Sequence, residues 1–210
     1  MFEYIFSLEL ILLVGFISFL ALSVIFFVMR RQNKNFTAAY LVMAVTALSY
    51  LLMLDGSVIA HASSGEPIYY TRWLFYAISC SLLMLTIIKF LKIKKESALP
   101  IIVLNVLVMA TGTIAAVIDE PYKWMMFALG CIFFLQQLML IFEKCTNSTQ
   151  EKMVKTYIFC GWAIFPIVFV LAPEGLGIIN NLAAMTIYLV LDIFTKVIFY
   201  LHISDFEKKS

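Results

Sequence analysis

The chain has 210 residues, of which 63% are hydrophobic and only 13% are charged, and its mean hydropathy is +0.99. A soluble domain of this size needs a more polar surface, so the composition excludes an ordinary globular protein and indicates a membrane protein. The formal net charge of +2 comes without any basic cluster interleaved with aromatic residues, which excludes a nucleic-acid-binding protein.

Seven apolar stretches follow one another along the chain, separated by short polar links. A helix needs about 20 apolar residues to cross a bilayer, and each stretch is long enough to do so. We therefore predict an all-α, multi-pass membrane protein, a seven-transmembrane-helix bundle that forms a single domain over residues 1–210. The first stretch has neither a basic segment before it nor a small-residue cleavage site, so we predict a retained helix rather than a signal peptide. The predicted spans cover residues 5–29, 36–54, 68–91, 98–118, 122–143, 152–172 and 177–203.

The placement of basic residues predicts the orientation of the chain in the cell membrane. Of the 15 Lys and Arg residues, all but Arg72, Lys123 and Lys196 lie at or after the ends of the first, third, fifth and seventh spans. Basic residues concentrate on the cytoplasmic side, which places the N-terminus outside and the C-terminus in the cytoplasm. The sequence Asn147-Ser148-Thr149 matches a glycosylation acceptor but falls on the cytoplasmic side, so we expect no sugar there.

Signatures of common enzymes are absent from the sequence. The 4 cysteines form no CxxC pair and the 2 histidines stand alone, so no metal site is predicted. The chain also has no glycine-rich phosphate loop and no nucleophile elbow. We therefore expect no enzymatic turnover.

A lysine in the middle of the seventh span is the most informative feature of the sequence. In LVLDIFTKVIFYL, residues 189–201, Lys196 follows Asp192 by one helical turn, so both side chains lie on one face. A lysine at the centre of a membrane helix costs about 2.5–3.5 kcal/mol, and this cost requires compensation. One interpretation is an ion pair that holds the helix in the bundle. The other is a buried amine that attacks an aldehyde and forms a Schiff base, with Asp192 as the negative partner of its protonated form.

This pair, together with motifs in other spans, resembles the microbial rhodopsins, whose seventh helix carries Asp-x-x-x-Lys. The segment GWAIFPIVFVLAPEGLG from Gly161 is similar to their sixth helix, and PIYYTRW from Pro67 is similar to the start of their third helix. The resemblance covers all seven spans. It implies all-trans retinal bound to Lys196, with Asp192 as counterion, and it suggests a homotrimer. The residues that it places around the retinal are Tyr76, Gly112, Trp162, Phe165, Pro166 and Phe169.

Two further polar residues match this family. Arg72 falls on its buried arginine, and Tyr50 falls on a second-helix tyrosine that contacts the aspartate. An isolated buried arginine must be paired or hydrated, so we expect Asp192 or a water cluster as the partner of Arg72.

The third span predicts the kind of rhodopsin. Counting from Arg72, outward proton pumps such as bacteriorhodopsin carry a carboxylate three residues on, a hydroxyl at seven and a second carboxylate at fourteen. Here those positions hold Phe75, Ser79 and Thr86. Phenylalanine accepts no proton, and threonine is no acid near neutral pH. Outward pumping by that mechanism is therefore not expected.

Phe75 and Ser79, with Cys80 directly after them, resemble instead the third helix of the schizorhodopsins. Those proteins are short inward proton pumps that use the aspartate of the seventh helix as sole counterion, and the resemblance places Ser79 and Cys80 beside the Schiff base. Thr86 departs from the pattern, because that group has a glutamate there to draw the proton inward. The predicted proton path contains Thr86 and also Glu174, which matches one member of the outer proton-release pair of outward pumps.

Two function classes follow from these residues. The first is a light-driven inward proton transporter. The second is a photosensor that cycles slowly and signals to a separate transducer. A slow cycle would suit the presence of Thr86 where the schizorhodopsins have a glutamate. A chloride pump ranks third, because Phe75 replaces the hydroxyl that halide pumps place beside the Schiff base.

Overall fold

The structure, a computed structural model, describes residues 2–31, 33, 36–56, 59–62, 65–143 and 148–209, the side chains of 2–7 and 209 excepted. Within these residues seven helices have the length and composition to cross a membrane, so the predicted seven-helix bundle is confirmed. Helices α1 to α5 are Phe2–Met29, Phe36–Asp55, Thr71–Phe90, Lys95–Val117 and Tyr122–Phe142. Helix α6 consists of Thr149–Tyr157, Ile158–Trp162 and Ile164–Leu171, and α7 consists of Asn181–Asp192, Ile193–Ile198 and Phe199–Lys209.

Two helices begin later than predicted because other structure precedes them. Strand β2, Pro67–Ile68, pairs antiparallel with strand β1, Ala60–His61, and α3 therefore begins at Thr71 rather than at residue 68. Helix α7 begins at Asn181 rather than at residue 177. The backbone at Gly177 has a φ of +64°, which ends any helical run there. The Asn180 side chain then caps α7 by accepting a hydrogen bond from the Ala183 amide at 2.9 Å.

The helices pack in sequence order, and α7 closes the bundle. Helices α1 to α4 each pack against the next one, while α7 packs against α1, α2 and α6. Helices α3 and α7 bury the largest share of their residues, and α5 buries the smallest. Polar side chains on α3 and α7 therefore lie in the centre of the bundle, whereas the apolar outer faces suit contact with lipid.

Helices α6 and α7 each contain a π-helical segment, and the two segments contact each other. They are Ile158–Trp162 and Ile193–Ile198. The close approach requires Gly161, because an added Cβ there would lie 2.5 Å from Thr195 Cγ2. Such π turns are rare and occur frequently at functional sites. Here they carry Trp162 and Lys196, two of the residues predicted to bind retinal.

Several residues behind the orientation prediction lie outside the described part of the chain, namely Lys34 and Lys144, as does Asn147 of the glycosylation pattern. The described members, such as Arg30 and Lys208, lie at the end of the bundle where α1, α3 and α7 finish. We call this the inner end and the opposite one the outer end. That the inner end faces the cytoplasm stays a prediction from charge.

Candidate functional site

Lys196 and Asp192 form a buried ion pair at the centre of α7. Lys196 Nζ lies 2.7 Å from Asp192 Oδ1, and both side chains are buried. The ammonium also donates a hydrogen bond to Thr46 Oγ1 on α2 at 3.1 Å. Thr46 is free to accept it, because its own hydroxyl donates to the Val42 carbonyl at 2.8 Å. The lysine thus has two acceptors in an interior where an unpaired charge would be strongly unfavourable.

The second oxygen of Asp192 accepts hydrogen bonds from tyrosines on two neighbouring helices. Tyr50 Oη of α2 donates to Asp192 Oδ2 at 3.1 Å, and Tyr76 Oη of α3 donates to the same atom at 2.9 Å. Tyr76 also presents its ring to Lys196, whose Nζ lies 4.2 Å from the ring centroid. Together with the ion pair to Lys196, these contacts engage both oxygens of the Asp192 carboxylate.

Arg72 is buried on α3 and lies against Tyr188 of α7. Its Cζ is 4.1 Å from the Tyr188 ring centroid, and Nη2 contacts the sulfur of Met185. Both residues are described, and the ion pair that Asp192 forms is the one with Lys196. A direct ion pair between Arg72 and Asp192, one of its two expected partners, is therefore not formed. The ring face of Tyr188, rather than a carboxylate, lies beside the Arg72 guanidinium.

Glu174 is a buried carboxyl group near the outer end, between α6 and α7. Its Oε1 accepts a hydrogen bond from Tyr188 Oη at 3.1 Å, and its side chain is 5% exposed. Burial raises the pKa of Glu174 above its ordinary value of 4.5, even though the hydrogen bond from Tyr188 and the charge of Arg72 act in the opposite direction. Tyr188 therefore links two ionisable residues: its ring lies against Arg72, and its hydroxyl donates to Glu174.

A long apolar cavity begins at the Lys196–Asp192 pair and extends between helices α3 to α6. The space that no atom fills measures about 920 Å³, a figure that includes the part open to the surroundings. Aromatic rings form its walls, and Phe169 packs edge-on against Trp73 at 5.6 Å and stacked on Phe127 at 5.1 Å between ring centroids. The lining residues are Trp73, Tyr76, Cys80, Leu83, Met84, Asn105, Val108, Met109, Gly112, Phe127, Gly130, Cys131, Phe134, Gln137, Trp162, Phe165, Pro166, Phe169, Asp192, Thr195 and Lys196.

Comparison with known proteins decides the family. The family described as "Bacteriorhodopsin-like protein" matches residues 6–206. The chain is a microbial rhodopsin. It is 37% identical to the protein in a crystal structure of schizorhodopsin 4, with 92% of this chain and 97% of that chain covered and a TM-score of 0.86. Bacteriorhodopsin-II of Haloarcula marismortui and sensory rhodopsin-2 of Haloarcula vallismortis are each 22% identical over 80% of this chain, and over 72% and 75% of their own lengths.

Membership in this family means that the chain is a multi-pass membrane protein of a family that binds retinal. Microbial rhodopsins are light-driven transporters or sensors rather than enzymes, so the prediction of no enzymatic turnover is confirmed. The cavity fits such a cofactor. Retinal is an apolar polyene with an aldehyde at one end, and the cavity of this rhodopsin is lined by apolar and aromatic side chains with the amine of Lys196 at one end. On α4, Gly112 leaves room beside Trp73, since an added Cβ would touch that ring at 3.5 Å.

The structure places most of the predicted retinal-site residues of this rhodopsin in the cavity wall. Those that line it are Tyr76, Cys80, Gly112, Trp162, Phe165, Pro166, Phe169, Asp192 and Lys196. Phe75 and Ser79 are not among the lining residues, and their place beside the retinal stays a prediction. The face of α3 that meets the cavity carries residues 73, 76, 80 and 83, so Phe75 is half-buried beside it and Ser79 is buried behind it. Tyr50 and Arg72 also lie outside the lining, and Tyr50 reaches the site through Asp192.

Sequence reasoning missed Thr46, Trp73 and Tyr188. Trp73 lies three residues before Tyr76, and this helical spacing puts it on the face of α3 that meets the cavity. Tyr188 lies four residues before Asp192 on α7, so the same spacing applies to it. Thr46 precedes Tyr50 by four residues on α2. Helical periodicity, extended one turn from each predicted site residue, was the signal that could have found all three.

Replacing Glu174 with glutamine should make this rhodopsin more stable at neutral pH but not at low pH. Because the folded state raises the pKa of Glu174, it holds that proton more tightly than the unfolded chain does. The stability linked to this group is present below pH 4.5 and is lost as the pH rises through the raised pKa. Glutamine cannot ionise, and its carbonyl oxygen can still accept the Tyr188 hydrogen bond.

Melting temperatures of the two proteins in detergent should diverge in favour of Glu174→Gln as the pH rises, by about 2–4 °C for each kcal/mol of stability that the wild type loses. The matched control is Glu143→Gln, because Glu143 is exposed at the inner end. A Glu174→Gln difference that does not change with pH would contradict the assignment of this buried carboxyl.

Proposed function

We propose that this rhodopsin is a light-driven inward proton transporter, with all-trans retinal linked to Lys196 and Asp192 as its sole counterion. The observation that carries the proposal is the state of Asp192, which is ion-paired and hydrogen-bonded by two tyrosines. Within the described part of the chain, no other carboxylate lines the cavity. The third-helix resemblance to the inward-pumping schizorhodopsins and the 37% identity to schizorhodopsin 4 support the same function.

When bound, retinal supplies the absorption of light and an isomerisation that releases the proton held at the Lys196 nitrogen. Both oxygens of Asp192 are already engaged, Oδ1 by Lys196 Nζ and Oδ2 by Tyr50 and Tyr76, so Asp192 serves as counterion rather than as proton carrier. Phe75, at the position where outward pumps carry their acceptor, has no group that takes a proton. A proton that leaves Lys196 Nζ is therefore not retained on the outer side, and it departs toward the inner end.

Polar side chains lie on either side of Lys196 along this direction. On the inner side, Cys80 borders the cavity and Thr86 is buried further along α3. On the outer side, Glu174 is connected to Arg72 through Tyr188. Because burial raises the pKa of Glu174, this carboxyl favours the protonated form that a donor of the replacement proton requires.

The test of direction is the pH of a suspension of expressing cells under illumination. Inward transport should make the medium more alkaline, and a protonophore should abolish the change. Acidification of the medium would reverse the proposed direction. A normal photocycle without any pH change would exclude transport.

Two substitutions in α3 should change the inward flux in opposite directions. Thr86→Glu should raise it severalfold, because a negative charge on the inner side attracts the departing proton. Phe75→Asp should suppress it, because it places an acceptor on the outer side. Thr86→Gln and Phe75→Asn are the matched controls of similar size without the charge. If each acid variant transports like its amide control, neither position acts through its charge and the proposed path is wrong.

Thr86 also supports a second candidate function, a photosensor. Because Thr86 stands at this position, helix α3 carries no carboxyl group that could speed proton transfer toward the inner end, and a slow photocycle suits signalling to a separate transducer. The illuminated cell suspension separates the two functions, since a sensor completes its photocycle and leaves the pH of the medium unchanged.

A further inference from the structure

One buried hydroxyl pair joins α3 and α7 in the inner half of the bundle. Thr86 Oγ1 and Tyr200 Oη lie 3.0 Å apart, and the side chains are 8% and 1% exposed. Thr86 also donates to the Leu82 carbonyl at 3.1 Å. Threonine has a single hydroxyl proton, so Tyr200 is the donor in the pair when Thr86 bonds to Leu82. The pair is therefore directional, from Tyr200 to Thr86 to Leu82.

Tyr200 lies on the face of α7 that carries Lys196, one helical turn closer to the inner end. Four residues separate them, about 6 Å along the helix axis. Another turn further on the same face is Ser204, a buried hydroxyl that accepts a hydrogen bond from Asn33 Nδ2 at 3.2 Å. Lys196, Tyr200 and Ser204 thus form a polar stripe, which we define by these three residues, and it leads from the ion pair to the link between α1 and α2.

The buried residues next to Tyr200 and Ser204 of this stripe in sequence are apolar, so the two hydroxyl groups stand beside buried side chains without polar atoms. The buried neighbours in sequence, Val197, Phe199 and Ile203, provide no side chain that can transfer a proton. The Phe199 ring lies 5.9 Å from the Tyr200 ring between centroids. The Tyr200 hydroxyl is nevertheless paired across two helices, and its removal would leave Thr86 Oγ1 without this partner.

We propose that Tyr200 relays the proton that leaves Lys196 toward the inner end, a role that rests on the proposed function as an inward transporter. The proton arrives at Tyr200 Oη through water while the hydroxyl proton of Tyr200 moves to Thr86 Oγ1. One O–H bond forms on the phenol oxygen as another breaks, so Tyr200 stays neutral. The Thr86 hydroxyl, which donates to the Leu82 carbonyl at rest, turns away from it and gives its own proton to water on the inner side, so that each oxygen again holds one proton. The threonine therefore acts with a partner, and the pair replaces the acid that related inward pumps have at this position.

The decisive variant is Tyr200→Phe, which removes the hydroxyl and retains the ring. It should keep the visible absorption band and lower the initial rate of light-induced alkalinisation severalfold. In flash experiments, the release of the Lys196 proton should slow by the same factor. Thr86→Val should have the same effect, and the double variant should be no slower than either single one, because both hydroxyls belong to one relay.

The matched control is Tyr157→Phe. Tyr157 is also a buried tyrosine of the inner half, and its Oη contacts His202 Nδ1 of α7 at 3.3 Å, but it lies outside the polar stripe. It should transport at the wild-type rate. Equal losses in Tyr157→Phe and Tyr200→Phe would overturn the relay, since they would reflect general loosening of the inner half.

Wild-type transport in Tyr200→Phe would also overturn the relay, while the proposed function would stand. Absence of transport in the wild type would overturn the proposed function and the relay together. If Tyr200→Phe fails to form a visible band, Thr86→Val decides the question, because it removes the partner hydroxyl and leaves the Tyr200 ring in place.

Discussion

Lys196→Ala should abolish the visible absorption band that forms when all-trans retinal is added to this rhodopsin. The reason is geometric, because Lys196 provides the one amine among the residues described as lining the cavity. The expected effect is complete loss rather than a shift. It is measured as an absorption spectrum of membranes from expressing cells after retinal addition. Lys152→Ala, an exposed position at the inner end of α6, should keep the full band and serves as the control.

Loss of the band must be distinguished from loss of the fold. Removing Lys196 leaves Asp192 buried without its cation, and breaking one side of a buried pair typically costs about 3–5 kcal/mol. The double variant Lys196→Ala with Asp192→Asn removes both charges and relieves this cost, so it should fold, show the helical circular dichroism of the wild type, and still form no band. A band like that of the wild type in either variant would show that retinal is attached elsewhere.

Asp192→Asn should move the absorption of the retinal-bound protein from the visible region to the near ultraviolet at neutral pH. The protonated Lys196 nitrogen would lose a carboxylate oxygen at 2.7 Å, and Thr46 would remain as its acceptor. The penalty for leaving a buried charge unpaired is about 3–5 kcal/mol, which favours loss of the proton. The visible band should return on acidification, as recorded in a spectroscopic pH titration.

Tyr50→Phe is the informative comparison for this variant. It removes one of two hydrogen bonds to Asp192 Oδ2 and keeps both the charge and the bond from Tyr76. The band should therefore stay in the visible region, with a shift that is small beside that of Asp192→Asn. A visible band in Asp192→Asn at neutral pH, without added anions, would identify another group as the counterion.

The seven spans and the central ion pair were predictable from the sequence because both depend on local properties. The length and apolarity of each stretch decide whether it can cross a membrane, and no contact with other helices enters that prediction. The meeting of Lys196 with Asp192 depends on one turn of one helix, so their spacing was sufficient. The predicted starts of α3 at residue 68 and of α7 at residue 177 were too early. Strand pairing and the Asn180 cap decide these starts, and they involve residues beyond the apolar stretch.

The family resemblance already implied that Tyr50 contacts Asp192, but only the tertiary structure decided which other groups surround that pair. Tyr76 is 116 residues from Asp192, and Thr46 is 150 residues from Lys196, yet both form hydrogen bonds with the pair. These hydrogen bonds depend on how α2 and α3 are rotated about their axes and on the depth at which they pack against α7. For the same reason Arg72, for which Asp192 or a water cluster was the expected partner, lies against Tyr188. A buried polar group needs a hydrogen-bond partner. The periodicity within one helix does not predict which side chain of the neighbouring helix will be that partner.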